Sequence, residues 1–130
     1  TIDLDPGPGT FTVSSTMQDP FVAKYDSMGN FIWGAQFSGP LSDNLSALCL
    51  DSAGNVCTTG NFDGTVDFDP GPSSYTVPTS GSTDVFISKL DASGNFIWVK
   101  SFGGPSSDGN NSLASDPSGN IYSTGAFITP

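Results

Sequence analysis

Hydrophobic and polar positions alternate in short runs along this chain, and the runs occur twice. Phe31, Trp33, Ala35 and Phe37 occupy every second position. Phe96, Trp98, Lys100 and Phe102 repeat that face further on, with Ile97 and Val99 on the other side. A period of two lines one face of a strand with alternate side chains. No stretch carries the three-and-four spacing of an amphipathic helix. The alternating, aromatic and β-branched runs predict strands over roughly 1–5, 10–14, 21–25, 31–37, 45–50 and 56–62. A second set falls over roughly 65–69, 75–78, 85–90, 96–102, 111–115 and 121–127.

Between the strands stand turn residues in a fixed pattern. Residues 26–30, 51–55, 91–95 and 116–120 all read D-x-x-G-N. Asp opens a type I turn by accepting hydrogen bonds from its own backbone, and Gly supplies the positive φ that closes a short hairpin. Further bends are expected at Asp5-Pro6-Gly7-Pro8 and Asp69-Pro70-Gly71-Pro72, where Pro ends the strand and Gly permits the turn.

The two sets are one unit written twice. Thr1-Ile2-Asp3-Leu4-Asp5-Pro6-Gly7-Pro8 returns as Thr65-Val66-Asp67-Phe68-Asp69-Pro70-Gly71-Pro72, at an offset of 64. One residue is gained before Asp84, and Gly29-Asn30-Phe31-Ile32-Trp33 then matches Gly94-Asn95-Phe96-Ile97-Trp98 at an offset of 65. Such a period marks an array in which each unit buries its apolar face against a neighbour. The expected fold is all-β: tandem antiparallel β-meanders, like propeller blades, in copies spanning 1–64 and 65–130. Two such units leave faces and edges uncovered. The expectation is therefore a piece of a longer repeat protein, completed by further copies in the same chain or in neighbouring protomers.

Asp19-Pro20-Phe21-Val22-Ala23-Lys24-Tyr25-Asp26 followed by Gly29-Asn30-Phe31-Ile32-Trp33 resembles the bacterial SBBP-type β-propeller repeat. So does Asp51-Ser52-Ala53-Gly54-Asn55-Val56 followed by Thr59-Gly60. The T-V-D-F-D-P-G-P segment at 65–72 looks like a variant found in large surface and secreted proteins. The resemblance covers nearly the whole chain. It implies four-stranded blades and an extracellular or cell-surface bacterial setting, and says little about a ligand.

Charge narrows the partners. Three basic residues stand against 13 acidic ones, for a net of −10. Nucleic-acid or anionic-membrane binding needs clustered Lys and Arg, so neither is expected. No apolar run approaches the roughly 18 residues of a membrane-spanning helix. Every acid is Asp, a turn and cap former. All but Asp63 are matched between the copies, so they belong to the repeat's plan. The chain has no His and no Arg, which leaves no triad and no oxyanion or phosphate clamp, and the expectation is a protein that is not an enzyme.

Several residues remain as candidate sites, each with two open readings. Asp3 with Asp5, and Asp67 with Asp69, put paired carboxylates on one strand face, and Asp63 stands near the second pair in sequence. Such oxygens suit calcium; otherwise they cap the turns or are solvated. Cys49 and Cys57 lie symmetrically about the 51–55 turn and should face each other, either as a disulfide typical of secreted proteins or as buried thiols. Trp33, Trp98, Tyr25, Phe37 and Phe102 could offer a sugar-stacking platform or fill the space between sheets. Asn44-Leu45-Ser46 and Asn110-Asn111-Ser112 are N-x-S sequons that would admit glycans. The functional expectation is a non-enzymatic extracellular structural or adhesion module, part of a longer propeller or a stacked fibre. The alternative is a segment of a propeller that binds carbohydrate or protein.

Overall fold

The computed structural model describes residues 1–128, and every regular element in them is a strand. In chain order these are β1 (Ile2–Asp3), β2 (Thr12–Val13), β3 (Phe21–Tyr25), β4 (Phe31–Gln36), β5 (Asn44–Leu50), β6 (Val56–Asp67), β7 (Thr76–Leu90), β8 (Phe96–Phe102), β9 (Gly109–Ser115) and β10 (Ile121–Ala126). All pairings are antiparallel. One four-stranded sheet runs β5-β6-β7-β8, and β1-β2, β3-β4 and β9-β10 are separate two-stranded pieces.

The D-x-x-G-N turns form as the residue chemistry requires. In the β3–β4 turn, Asp26 Oδ1 accepts the N–H groups of Met28 and Asn30, while its Oδ2 accepts the Asn30 side-chain amide. The turns opened by Asp51 and Asp91 repeat these bonds, and the Asp116 turn repeats those from Asn120. The glycine of each turn has φ between 80° and 88°, the left-handed region that excludes most side chains at little cost to Gly.

Two pairs of predicted strands are fused. Residues 56–62 and 65–69 were expected to be separate, yet β6 runs unbroken from Val56 to Asp67. Gly64, at φ 72°, lets the chain take a bulge there, with the register slipping between Asp63 and Thr65. Opposite it, β7 joins the predicted 75–78 and 85–90 strands. The outcome is a long hairpin whose far end, the Asp69-Pro70-Gly71-Pro72 turn, projects beyond β5. In the first copy the same arm appears alone as β1-β2, with Ile2 opposite Val13 and Asp3 opposite Thr12, matching Val66–Val77 and Asp67–Thr76.

The repeat and the sheet are therefore out of phase. The 64/65 junction between the copies falls inside β6, and the complete sheet takes β5 and most of β6 from the first copy and β7 and β8 from the second. The first copy's β3-β4 corresponds to β7-β8, and the second copy's β9-β10 corresponds to β5-β6. The chain holds one whole blade flanked by two complementary halves.

The core lies between β3-β4 and one face of the whole sheet. Val22, Ala35 and Phe37 pack there against Val56, Phe62, Phe86, Leu90 and Val99. The projecting arm closes this layer. Phe68 stacks on Phe86 with centroids 4.7 Å apart and meets Phe37 at 5.4 Å and Phe62 at 5.5 Å, and all four rings are fully buried. Asp67 and Ser38 exchange two backbone hydrogen bonds, at 2.8 and 3.1 Å, which tie the arm to the chain just after β4. β8 thus places Val99 in this core, on the face opposite to the one the alternation pattern marked, while Phe102 remains exposed. One side of each sheet packs on the other side of the next. The buried hydroxyls are satisfied: Thr58 and Ser88 bond across β6 and β7 at 2.6 Å, and Thr59 donates to the Phe86 carbonyl.

The opposite face of the sheet is covered by β9, which packs against β5, β6 and β7. Asn61 bonds the Asp108 carbonyl and the Asn110 amide, and Ser115 donates to the Leu50 carbonyl.

The turn glycines are not equivalent in their surroundings. A Cβ at Gly29 or Gly119 would meet nothing, whereas at Gly94 it would stand 2.8 Å from the Trp33 ring. Replacing Gly29 or Gly119 by Ala is expected to cost about 1–2 kcal/mol from the positive φ alone. Gly94→Ala is expected to cost about 1 kcal/mol more, because Trp33 must also move. Denaturant midpoints of the variants measure this, and equal losses at all three positions would contradict the packing of Trp33 on that turn.

Candidate functional site

The paired aspartates of the arms are occupied by their own backbone. Asp3 Oδ1 accepts the N–H groups of Asp5 and Phe11, and Asp5 Oδ1 accepts that of Gly7. Asp67 Oδ1 accepts those of Asp69 and Tyr75, its Oδ2 accepts the Ser74 hydroxyl, and Asp69 accepts Gly71. Burial raises the Asp67 pKa, but the Ser74 hydroxyl and the two N–H donors outweigh it and hold the carboxyl below its ordinary value. Asp63 does not join this pair. Its N–H donates to Asp43 Oδ1, at the base of the arm. Among the described residues no group of three or more acidic or thiol side chains is gathered to hold an ion. These oxygens act as turn formers and do not fit a calcium cage.

Cys49 and Cys57 face each other in the β5–β6 register, as their spacing predicts. Both are free thiols rather than a disulfide. Cβ atoms directly opposed on neighbouring strands stand about 4.5–5.5 Å apart, wider than the roughly 3.8 Å that a disulfide prefers. Burial, with the second thiol beside it, pushes Cys57 up to about 11. The sequons differ: Asn44 is exposed, whereas Asn110 is buried and donates to Ser123 Oγ at 2.6 Å.

Most of the aromatic candidates serve packing. Phe37 is core. Trp33 donates its indole N–H to the Ala92 carbonyl, and Tyr25 its hydroxyl to the Leu4 carbonyl. Phe102 behaves differently, because it borders a groove of about 610 Å³ with Val85, Pro105, Ser123, Phe127 and Ile128. This groove opens where β9-β10 splays away from the outer strands of the sheet.

Sequence reasoning missed the buried carboxylates. Asp43 and Asp84 are each 1% exposed, and each keeps one oxygen without a partner. Asp84 Oδ2 accepts the Ser80 N–H, and Asp108, the counterpart of Asp43, accepts those of Gly104 and Ile128. These residues read in sequence as ordinary loop acids, and only their recurrence in both copies marked them. Burial pushes the Asp43 carboxyl up to about 6; the Asp63 N–H opposes this, and the charges of Asp19 and Asp63 add to it. Asp51 is the opposite case. Lys89 Nζ lies 2.7 Å from its Oδ2 and, with Asn55, holds it far below the ordinary range.

These shifts pull stability in opposite directions with pH. Asp43 has a raised folded pKa, so its contribution is complete below the unfolded value near 3.8 and is lost as pH rises through about 6. Asp26, Asp91 and Asp116 have lowered folded values, chiefly from the Asn side chain of each turn, so their contribution is present above the unfolded value and lost on acidification. Asp43→Asn is expected to stabilise the protein by about 2 kcal/mol at pH 8 and to leave it unchanged near pH 4. Melting curves at the two pH values check this, and a pH-independent effect would contradict the burial of a charge at Asp43. Melting with and without a calcium chelator is expected to give one midpoint, and a lower midpoint with chelator would show that the arms gather an ion after all.

No protein-family model matches this chain. Over an alignment that covers 88% of its length, it is 28% identical to an uncharacterized WD repeat-containing protein of Acanthamoeba polyphaga mimivirus. The chain spans only 9% of that relative. With its stacked antiparallel sheets, the likeness makes this an all-β, propeller-like repeat segment.

Proposed function

We propose that this chain is a non-enzymatic structural segment of a larger repeat scaffold, secreted or displayed on a bacterial surface, where stacked blades present surface for adhesion. The carrying observation is the layer of Phe37, Phe62, Phe68 and Phe86. It joins residues of both copies, and no catalytic constellation accompanies it among the described residues. The bulk of the buried apolar surface goes into joining one unit to the next, which is how a repeat scaffold is built. The surface setting rests on the SBBP-like motifs and fits the high negative charge, which favours solubility.

In such an array stability is set by neighbours, so it should be graded along the chain. Native-state hydrogen exchange is expected to give the highest protection in β6 and β7, which have neighbours on both faces. Protection should be lower by roughly a factor of ten or more in β1-β2 and β9-β10. Uniform protection from β1 to β10 would mean a self-sufficient domain and would remove the scaffold reading.

A further inference from the structure

The opposed thiols of β5 and β6 stand outside the plan of the repeat. Their counterparts in the other copy, Ala114 and Tyr122, face each other in the same way across β9 and β10, so that place is filled there without sulfur. Both members of the pair change together between the copies. Packing alone asks for no such coupling, because a single buried Cys already serves as a small hydrophobe. Cys57 is fully buried and Cys49 is half-buried, so the pair opens to solvent on the β5 side. Next along the same row, Lys89 stands opposite Cys57, with its Nζ 2.7 Å from Asp51 Oδ2.

Spacing decides what two such thiols can hold. Side chains rise roughly perpendicular to a sheet, so the sulfurs keep about the 4.5–5.5 Å of directly opposed Cβ atoms. A sulfur–sulfur bond of about 2.05 Å needs a far closer approach. Two metal–thiolate bonds in line, at about 2.3 Å each, span about 4.6 Å and fit the gap. Among the described residues no set of three or more acidic, thiol or imidazole groups gathers around one point. Zinc wants four ligands, and hard ions such as calcium want many oxygens, so neither suits the pair. A soft, monovalent, closed-shell ion is satisfied by two thiolates in line.

We propose that Cys49 and Cys57 hold one thiophilic monovalent metal ion, of the copper(I) class, in a linear site across β5 and β6. Each thiol releases its proton to solvent as its sulfur–metal bond forms, and the metal keeps its oxidation state. The resulting unit of one cation and two thiolates carries a single negative charge. The Lys89 ammonium in the same row offsets that charge, and Asp51 holds the ammonium in place. The ion enters from the Cys49 side, where the pair meets solvent. Once bound, it clips β5 to β6 and stabilises the folded chain, which alone presents the two sulfurs at this spacing.

Two measurements test the site. The chain, purified without reductant and then unfolded, is expected to show both thiols to a thiol-reactive dye. Folded and kept free of oxygen, it is expected to take one copper(I) per chain from a coloured copper(I) chelator, and its melting temperature should rise with the metal. Cys49→Ser and Cys57→Ala are each expected to weaken binding by more than about 100-fold, beyond the loss that an outer partner of a metal site causes. Cys49 is half-buried, so its variant keeps the fold, and its melting temperature should no longer respond to copper(I). Lys89→Met is expected to weaken binding about tenfold at unchanged stoichiometry. Met28→Leu, which removes an exposed thioether, should leave binding as it is.

A chain with no reactive thiol on unfolding would mean a closed disulfide and would overturn the proposal. So would failure to compete with the chelator, or one copper shared between two chains. Binding that survives Cys49→Ser, or that is lost with Met28→Leu, would place the metal elsewhere and overturn it too. None of these outcomes alters the hydrogen-exchange gradient on which the scaffold reading stands.

Discussion

The structure depends on the packing of the long β6–β7 arm over the end of β4. Four phenylalanine rings meet there without any solvent exposure, and they come from different parts of the repeat: Phe37 from the end of one half-blade, Phe62 and Phe68 from β6 and the turn after it, Phe86 from β7. A buried ring of this size carries about 3–5 kcal/mol on truncation. Among the described residues no other cluster links the sheets so directly. The Ser38–Asp67 bridge fixes where the arm lies, and the rings supply the reason for it to lie there. Remove this layer and the flanking hairpins are two-stranded ribbons, which are marginal in water.

Much of this was legible in the sequence because the local chemistry was strong. The D-x-x-G-N turns form where the pattern put them, since Asp, Gly and Asn each satisfy a stated backbone need within five residues. Strand positions were legible for the same reason, since the turns bracket them. What stayed hidden depends on partners distant in sequence. The break expected between residues 62 and 65 is instead a bulge at Gly64, because β7 lies opposite and holds both sides of it in register. The apolar face of β8 was read from alternation as Phe96, Trp98 and Phe102, yet Val99 is the residue buried in the core, with Phe96 packed against it, because the register slips between Lys89 and Leu90 and brings Phe96 round to the Val99 face. Which carboxylates are buried is a further case, since Asp43 and Asp63 are indistinguishable as letters.

The aspartates divide by their surroundings. Asp26, Asp51, Asp67 and Asp91 each accept two backbone N–H groups, which help to hold their carboxyls below the ordinary value and fix the hairpins. Those buried near the arms, Asp43 and Asp84, hold an oxygen with no partner. Paired acids in both copies suggested cation chemistry. In the structure Asp3, Asp5, Asp67 and Asp69 accept backbone N–H groups that shape the tips of the two arms.

The offset between written repeat and hydrogen-bonded sheet has a consequence for synthesis. When the first copy has emerged from the ribosome, β5 and the leading part of β6 are out, but the strands that complete their sheet have not yet emerged. Each copy thus waits half-finished for its successor, and nascent-chain folding advances as a relay in which every sheet is sealed one copy late.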